Sequence, residues 1–257
     1  MDKSDAIVLR TIEFSETSLV VTLLTRDFGK LGVIAKGARR PKGPFEGALD
    51  LLAVCRVILL RKSSDALDLL TEAKLDRRFR VTEKISFPPA ERLQRLYGGY
   101  YVAEMIRHLT DDGDPHPELF QLTLETIERI DGDAHLGTAL LFFELQALQL
   151  LGHAPGTARC VDCGRAEETA MTSQMTFGLL AGGWLCDTCK PQHREKLIVS
   201  GEAFKWLRRL VTEANYPQEI VPATTYGELR TLVSRYFVTM LGIMPRMTRY
   251  LPISVDA

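Results

Sequence analysis

Apolar and polar residues along the chain change their period twice. Over residues 1–80, short runs rich in Val, Ile, Leu and Thr are separated by polar breaks: Ala6–Glu13, Ser18–Thr25, Leu31–Lys36, Leu51–Leu60 and Ala66–Ala73. Runs this short with β-branched residues between turn signals predict strands. Asp27-Phe28-Gly29-Lys30 reads as a hairpin turn, because Gly29 is free to take a positive φ. Lys62-Ser63-Ser64-Asp65 separates the last two runs, and a Gly/Pro/Arg-rich loop runs from Gly37 to Gly47. Five short strands in this length predict a small antiparallel barrel or sandwich, of a size that suits an OB-fold and other small barrels alike.

Around Phe87-Pro88-Pro89 the period becomes helical, with Leu93, Leu96, Tyr97, Tyr100, Tyr101, Met105 and Leu109 on recurring positions. Asp111 to Pro115 ends this helix. Further helices are expected over about 117–130 and 136–151, stopped by Gly132 and Gly152. Two more are expected over about 201–214, with Ser200 as N-cap, and over about 225–242. The tail from Met244 has no clear period. The chain therefore divides into a strand domain over 1–80 and a helical domain over 81–257. No run of 18 apolar residues predicts a membrane span.

Set into the helical part, at about 158–192, are two C-x-x-C pairs, Cys160-Val161-Asp162-Cys163 and Cys186-Asp187-Thr188-Cys189. Two such turns can supply a tetrahedral four-sulfur shell, the geometry of structural zinc. The 22 residues between the pairs suit a hairpin, with Gly178, Gly182 and Gly183 as turn residues. A closed thiolate shell leaves no position for water or substrate, so the expected Zn2+ braces the fold. The start Met1-Asp2-Lys3-Ser4-Asp5 has no apolar signal region, which points to the reducing cytoplasm and away from disulfides. A redox dithiol is disfavoured by Leu185 between Trp184 and Cys186 and by the lack of a βαβ pattern. A zinc deaminase is disfavoured because His193-Arg194-Glu195 follows the second pair instead of preceding it. Cys55, in an apolar run, reads as a buried strand residue.

Charge is uneven. Residues 1–80 carry 15 Lys+Arg against 11 Asp+Glu, residues 81–159 carry 6 against 12, and the remainder 11 against 10. The amino-terminal excess is focused on Lys36-Gly37-Ala38-Arg39-Arg40-Pro41-Lys42-Gly43, with Arg26 and Lys30 on the preceding hairpin. Such a loop beside a sheet can track a phosphate backbone and release its counterions. Only Phe14, Phe28, Phe45 and Phe79 are aromatic in the first 80 residues, so charge is expected to outweigh base stacking. No P-loop, H-E-x-x-H or G-x-S-x-G is present, and the five histidines are scattered, so the chain does not read as an enzyme.

Ala6 to Arg10, Glu16 to Thr25, Gly29-Lys30-Leu31 and Ala35 to Pro41 closely resemble the start of the RecO family of bacterial recombination mediators. Helices, four-cysteine module and further helices follow in that family's order, over essentially the whole chain. The resemblance implies an amino-terminal OB-fold and a helical domain with a zinc ribbon. It implies a non-catalytic mediator that binds single- and double-stranded DNA, anneals complementary strands, and associates with RecR and the acidic tail of single-strand-binding protein. It further implies help in loading the recombinase RecA onto coated strands in RecF-pathway repair. By position, Arg26, Lys30, Lys36, Arg39, Arg40 and Lys42 would contact phosphates, and Cys160, Cys163, Cys186 and Cys189 would hold zinc. Leu49-Asp50-Leu51-Leu52 stands where many members of that family carry an apolar-Pro-aromatic element. Arg208, Arg209, Arg246 and Arg249 are candidates, on charge alone, for receiving an acidic tail. An alternative is a zinc-ribbon OB-fold protein that binds RNA in transcription or translation.

Overall fold

A computed structural model describes residues 1–40, 43–45, 47–61, 67–166 and 173–251. Its contacts separate the chain into two units, 1–132 and 133–257.

The first unit is built on a closed barrel in the order β1-β2-β3-β5-β4. Its strands are β1 (Asp2–Glu13), β2 (Leu19–Thr25), β3 (Gly29–Ala35), β4 (Val54–Leu60) and β5 (Asp68–Arg77). All neighbours pair antiparallel except β3 and β5, whose seam is parallel. The hairpin pattern predicted an antiparallel barrel. An odd number of strands in a closed ring cannot alternate direction throughout, so one parallel seam is required. β1 serves two neighbours, pairing Asp2 to Ile7 with β4 and Ala6 to Glu13 with β2, and a bulge between Val8 and Arg10 lets it bend between them.

Alternation along β3 places Leu31, Val33 and Ala35 inside, with Ala6, Val8, Val21, Leu23, Val57, Leu59 and Leu70 from the other strands. Phe45 and Leu49 from the β3–β4 connection join this core. Burying each large aliphatic contributes about 1.5–3 kcal/mol. β4 begins later than its apolar run suggested, because Leu51 and Leu52 turn before it. Leu52 is fully buried at φ 65°, and its N–H donates to Val8 O at 2.8 Å. A Cβ placed on Gly99 would lie 2.6 Å from Leu52 Cδ1. The absence of a side chain at Gly99 is therefore what lets Leu52 pack against the helix carrying it. At the β2–β3 turn Gly29 has φ 68°, and a Cβ there would fall 2.1 Å from Asp114 O.

Helices α1 (Pro89–Leu109) and α2 (Pro117–Asp131) complete this unit, and α1 packs against both β1 and α2. Buried Arg95 ties them together. It donates to Ile130 O at 3.0 Å and Gly132 O at 3.1 Å, satisfying carbonyls at the end of α2, and lies 4.3 Å from the centre of the Phe87 ring.

The second unit is arranged around α3 (Leu136–Leu150), of which all but the last two residues are buried. A three-stranded sheet of order β7-β6-β8 follows, from β6 (Gln174–Gly178), β7 (Gly183–Leu185) and β8 (Lys196–Ser200). The expected hairpin is β6–β7, and β8 adds a strand that the helical reading did not include. Helices α4 (Gly201–Thr212) and α5 (Ala223–Leu241) close the unit. Ser200 caps α4 as its sequence position suggested, its Oγ accepting from Ala203 N at 3.1 Å. The other end of α4 is met by Gln146 Nε2, which donates to Leu210 O at 2.7 Å and Glu213 O at 3.1 Å. No described helix is long and apolar enough to cross a membrane.

Candidate metal centre and nucleic-acid interface

The ribbon brings both C-x-x-C turns to one point. Gly156 N donates to Gly182 O and Trp184 N to Gly156 O, both at 2.8 Å, while Val161 N donates to Trp184 O at 3.0 Å. These bonds clamp the first turn against β7. A Cβ on Gly183 would meet Gly156 O at 2.4 Å, so the approach depends on glycine there. Each pair then folds on itself: Gly164 N donates to Cys160 O at 2.9 Å and Cys189 N to Cys186 O at 3.1 Å.

The four sulfurs of Cys160, Cys163, Cys186 and Cys189 all lie within 4.8 Å of one another. A tetrahedron with zinc–sulfur bonds of about 2.3 Å has sulfurs about 3.8 Å apart, so the set fits an ion of that kind. Cys163 Sγ and Cys186 Sγ are 3.7 Å apart, and no disulfide joins any of the five cysteines. Three of the four cluster cysteines are buried and Cys163 is exposed. Burial pushes the Cys160 thiol up, but the backbone N–H groups of Cys163, Cys186 and Asp162 outweigh it and bring it down to about 6. Backbone hydrogen bonding from Cys189 likewise lowers Cys186. Burial raises Cys189. N–H groups aimed at sulfur stabilise the thiolate form a metal requires. His193 Nε2 reaches Asp162 Oδ2 at 3.3 Å, linking the first turn to the segment after the second.

The basic residues predicted as one site separate into two groups. Lys36 and Arg40 are exposed, and Arg39 is exposed beside them. The turn that carries them is fixed to the β1–β2 hairpin: Arg39 N donates to Thr17 O at 3.1 Å, and Arg39 Nη1 pairs with Glu13 Oε2 at 3.1 Å. Arg40 N donates to Gly37 O at 3.0 Å, with Gly37 at φ 75°. Lys42 lies outside the described residues. Arg26 and Lys30 sit at the other end of β2, roughly 20 Å away at the usual rise per residue. Arg26 pairs with Asp5 at 3.4 Å and lies 5.2 Å from the Phe120 ring centre. Lys30 is turned away from solvent. Its Nζ donates to Arg107 O at 2.9 Å and Thr110 O at 2.5 Å and pairs with Asp112 at 3.4 Å. It closes the carboxyl end of α1, a role that only the tertiary neighbours of β3 reveal.

The four amino-terminal phenylalanines also separate. Phe45 is in the core, Phe28 lies under Arg61, and Phe79 packs near Gly99, whereas Phe14 is 64% exposed at the hairpin tip. In the second unit, Arg208 donates to Thr157 O at 2.7 Å, and Arg209 pairs with Glu213 and Glu219 at 3.0 and 2.5 Å. Both of these arginines are engaged within the fold.

Comparison with known proteins joins the two halves. The family model "Recombination protein O N terminal" matches residues 1–79, and "Recombination protein O C terminal" matches residues 90–249. The chain is 44% identical to a DNA repair protein RecO of Rhodopirellula baltica, over 98% of this chain and 99% of that one. It is 32% identical to the RecO of Myxococcus xanthus, over 93% and 91%, and 28% identical to that of Bacillus pumilus, over 97% and 93%. With barrel, helices and cysteine ribbon in the matched order, the chain belongs to the recombination protein O (RecO) family.

Proposed function

We propose that this protein acts in DNA repair as a recombination mediator that does no covalent chemistry. It binds single and double strands, anneals complementary strands, and helps place RecA on single strands coated by single-strand-binding protein. RecR and the acidic tail of single-strand-binding protein are its protein partners, and it works in the cytoplasm, at the nucleoid during repair. Family membership carries the repair reading and gives no support to the RNA alternative.

The observation that favours the DNA site is the exposed Lys36–Arg40 turn held on the barrel by Arg39 and Thr17. Cations on a fixed turn neutralise phosphates and release condensed counterions, which also lowers the repulsion between two strands brought together. Lys36, Arg39 and Arg40 are assigned to this contact, with Lys42 beside them in sequence. Arg26 is assigned a weaker share because Asp5 offsets it, and Lys30 is assigned to the fold. The four thiolates would hold a zinc ion as a structural staple, their shell closed to substrate.

Annealing of complementary oligonucleotides, with and without single-strand-binding protein, tests the reading. The wild type is expected to accelerate annealing of both naked and coated strands. Arg40→Ala should slow both at an unchanged melting temperature. Annealing no faster than the spontaneous reaction would refute the assignment.

A further inference from the structure

Outward-facing positions of a small barrel are ordinarily polar, and here one outward row is aliphatic. Ile12 pairs with Val20, Val20 with Ile34, Ile34 with Leu69, and Leu69 with Leu60. Their neighbours Val21, Val33, Ala35 and Leu70 point into the core, so alternation turns this row outward. Ile12 and Leu60 are each 43% exposed. The row also continues past β1. Phe14 N donates to Ser18 O at 3.0 Å, extending the ladder by one pair and setting the Phe14 ring on the side of Ile12. Arg10, exposed and two residues before Ile12, shares that side. Along β1 the outer face thus reads cation, aliphatic, aromatic.

The basic turn is anchored to this same hairpin. Arg39 reaches Ser15 O at 3.4 Å, Glu13 at 3.1 Å and, through its N–H, Thr17 O at 3.1 Å. Lys36 and Arg40 are therefore held beside the tip that presents Phe14.

We propose that Phe14 is a base-stacking residue for single-stranded DNA. An unpaired base lies on its ring and against Ile12 while Arg10, Lys36 and Arg40 hold the flanking phosphates. The occupant follows from charge and shape together. Cations beside an apolar strip suit a polyanion with exposed aromatic faces. A duplex offers the phosphates but keeps its bases stacked inside. The site would then distinguish single strands from duplex through one ring, while the charge contacts serve both. This rests on the DNA-binding reading above and adds to it the means of strand discrimination.

Anisotropy titrations with a labelled oligothymidine, an abasic strand of equal length and a duplex test the proposal across a salt series. Phe14→Ala should weaken oligothymidine binding about 5-fold or more, the effect of losing one stacked base. The slope of affinity against salt should not change, duplex binding should be unaltered, and wild-type protein should bind the abasic strand as weakly as the variant binds oligothymidine. Arg40→Ala should weaken all three ligands and lower the single-strand salt slope by about 0.7, one phosphate's share. If Phe14→Ala binds oligothymidine like wild type while Arg40→Ala binds weakly, stacking is overturned and the charge reading stands. If neither variant changes binding, both fall. If Phe14→Ala alters only sedimentation of the protein alone, the row is a protein contact and the proposal is overturned.

Discussion

The guanidinium of Arg230 on α5 grips the carboxylate of Glu144 on α3 through two hydrogen bonds of 2.7 and 2.6 Å, and neither side chain is appreciably exposed. Two charges removed from water hold each other through a paired fork. Removing one partner leaves the other charge buried and unpaired. Glu144→Gln is expected to destabilise the second unit by about 3–5 kcal/mol, whereas the double change Glu144→Leu with Arg230→Met should lose much less. Urea unfolding of the two variants checks the difference. Equal losses would mean that packing, and not the charge pair, sets the cost.

Lys30 gives a second test, because its ammonium meets carbonyls at the end of α1 instead of solvent. Hydrogen bonds from a charged donor contribute about 1.5–3 kcal/mol, so Lys30→Met should lower stability by about that amount. Affinity for oligonucleotides should stay within error of wild type. Thermal unfolding and anisotropy on the same preparation measure the two outcomes. A variant of unchanged stability with weakened DNA binding would return Lys30 to the interface.

Metal removal should act on the ribbon and spare the barrel. Cys163→Ser takes away one of the four clustered sulfurs. Binding to such a site is coupled to folding, so the variant should lose its metal and the stability of residues 133–257 together. Elemental analysis should give one ion per wild-type chain and less in the variant. Hydrogen exchange should rise in β6, β7 and β8 while the barrel strands keep their protection. Native protection in a metal-free variant would remove the staple role.

The barrel core carries a pH dependence at the alkaline end. Cys55 is fully buried among barrel core residues. Burial, with a smaller contribution from Asp5, pushes its thiol from 9.0 up to about 12. The folded chain therefore keeps the proton while the unfolded chain gives it up. The stability this confers is complete below pH 9 and is lost as pH rises toward 12. Between those limits the loss should approach about 1.4 kcal/mol per pH unit for this one group. Cys55→Ala should flatten that part of the profile. Denaturant midpoints measured at pH 8 and at pH 10.5 in both proteins show whether it does.

The sequence settled what near neighbours decide. Gly29 marks the β2–β3 turn, Ser200 starts α4, and Gly178, Gly182 and Gly183 shape the β6–β7 hairpin; turn and cap chemistry acts over a few residues. The paired C-x-x-C turns announced a shared ligand set for the same reason. Tertiary structure decided the rest. The parallel β3–β5 seam follows from closing an odd ring, which no single strand encodes. Lys30 and Lys36 belong to one β-rich, basic stretch of sequence. One meets carbonyls 77 and 80 residues away and the other stays exposed. Phe14 and Phe45 are the same residue type, yet one is at a hairpin tip and the other in the barrel core. Local pattern fixes which elements form, whereas the exposure of a side chain depends on what distant segments pack against it.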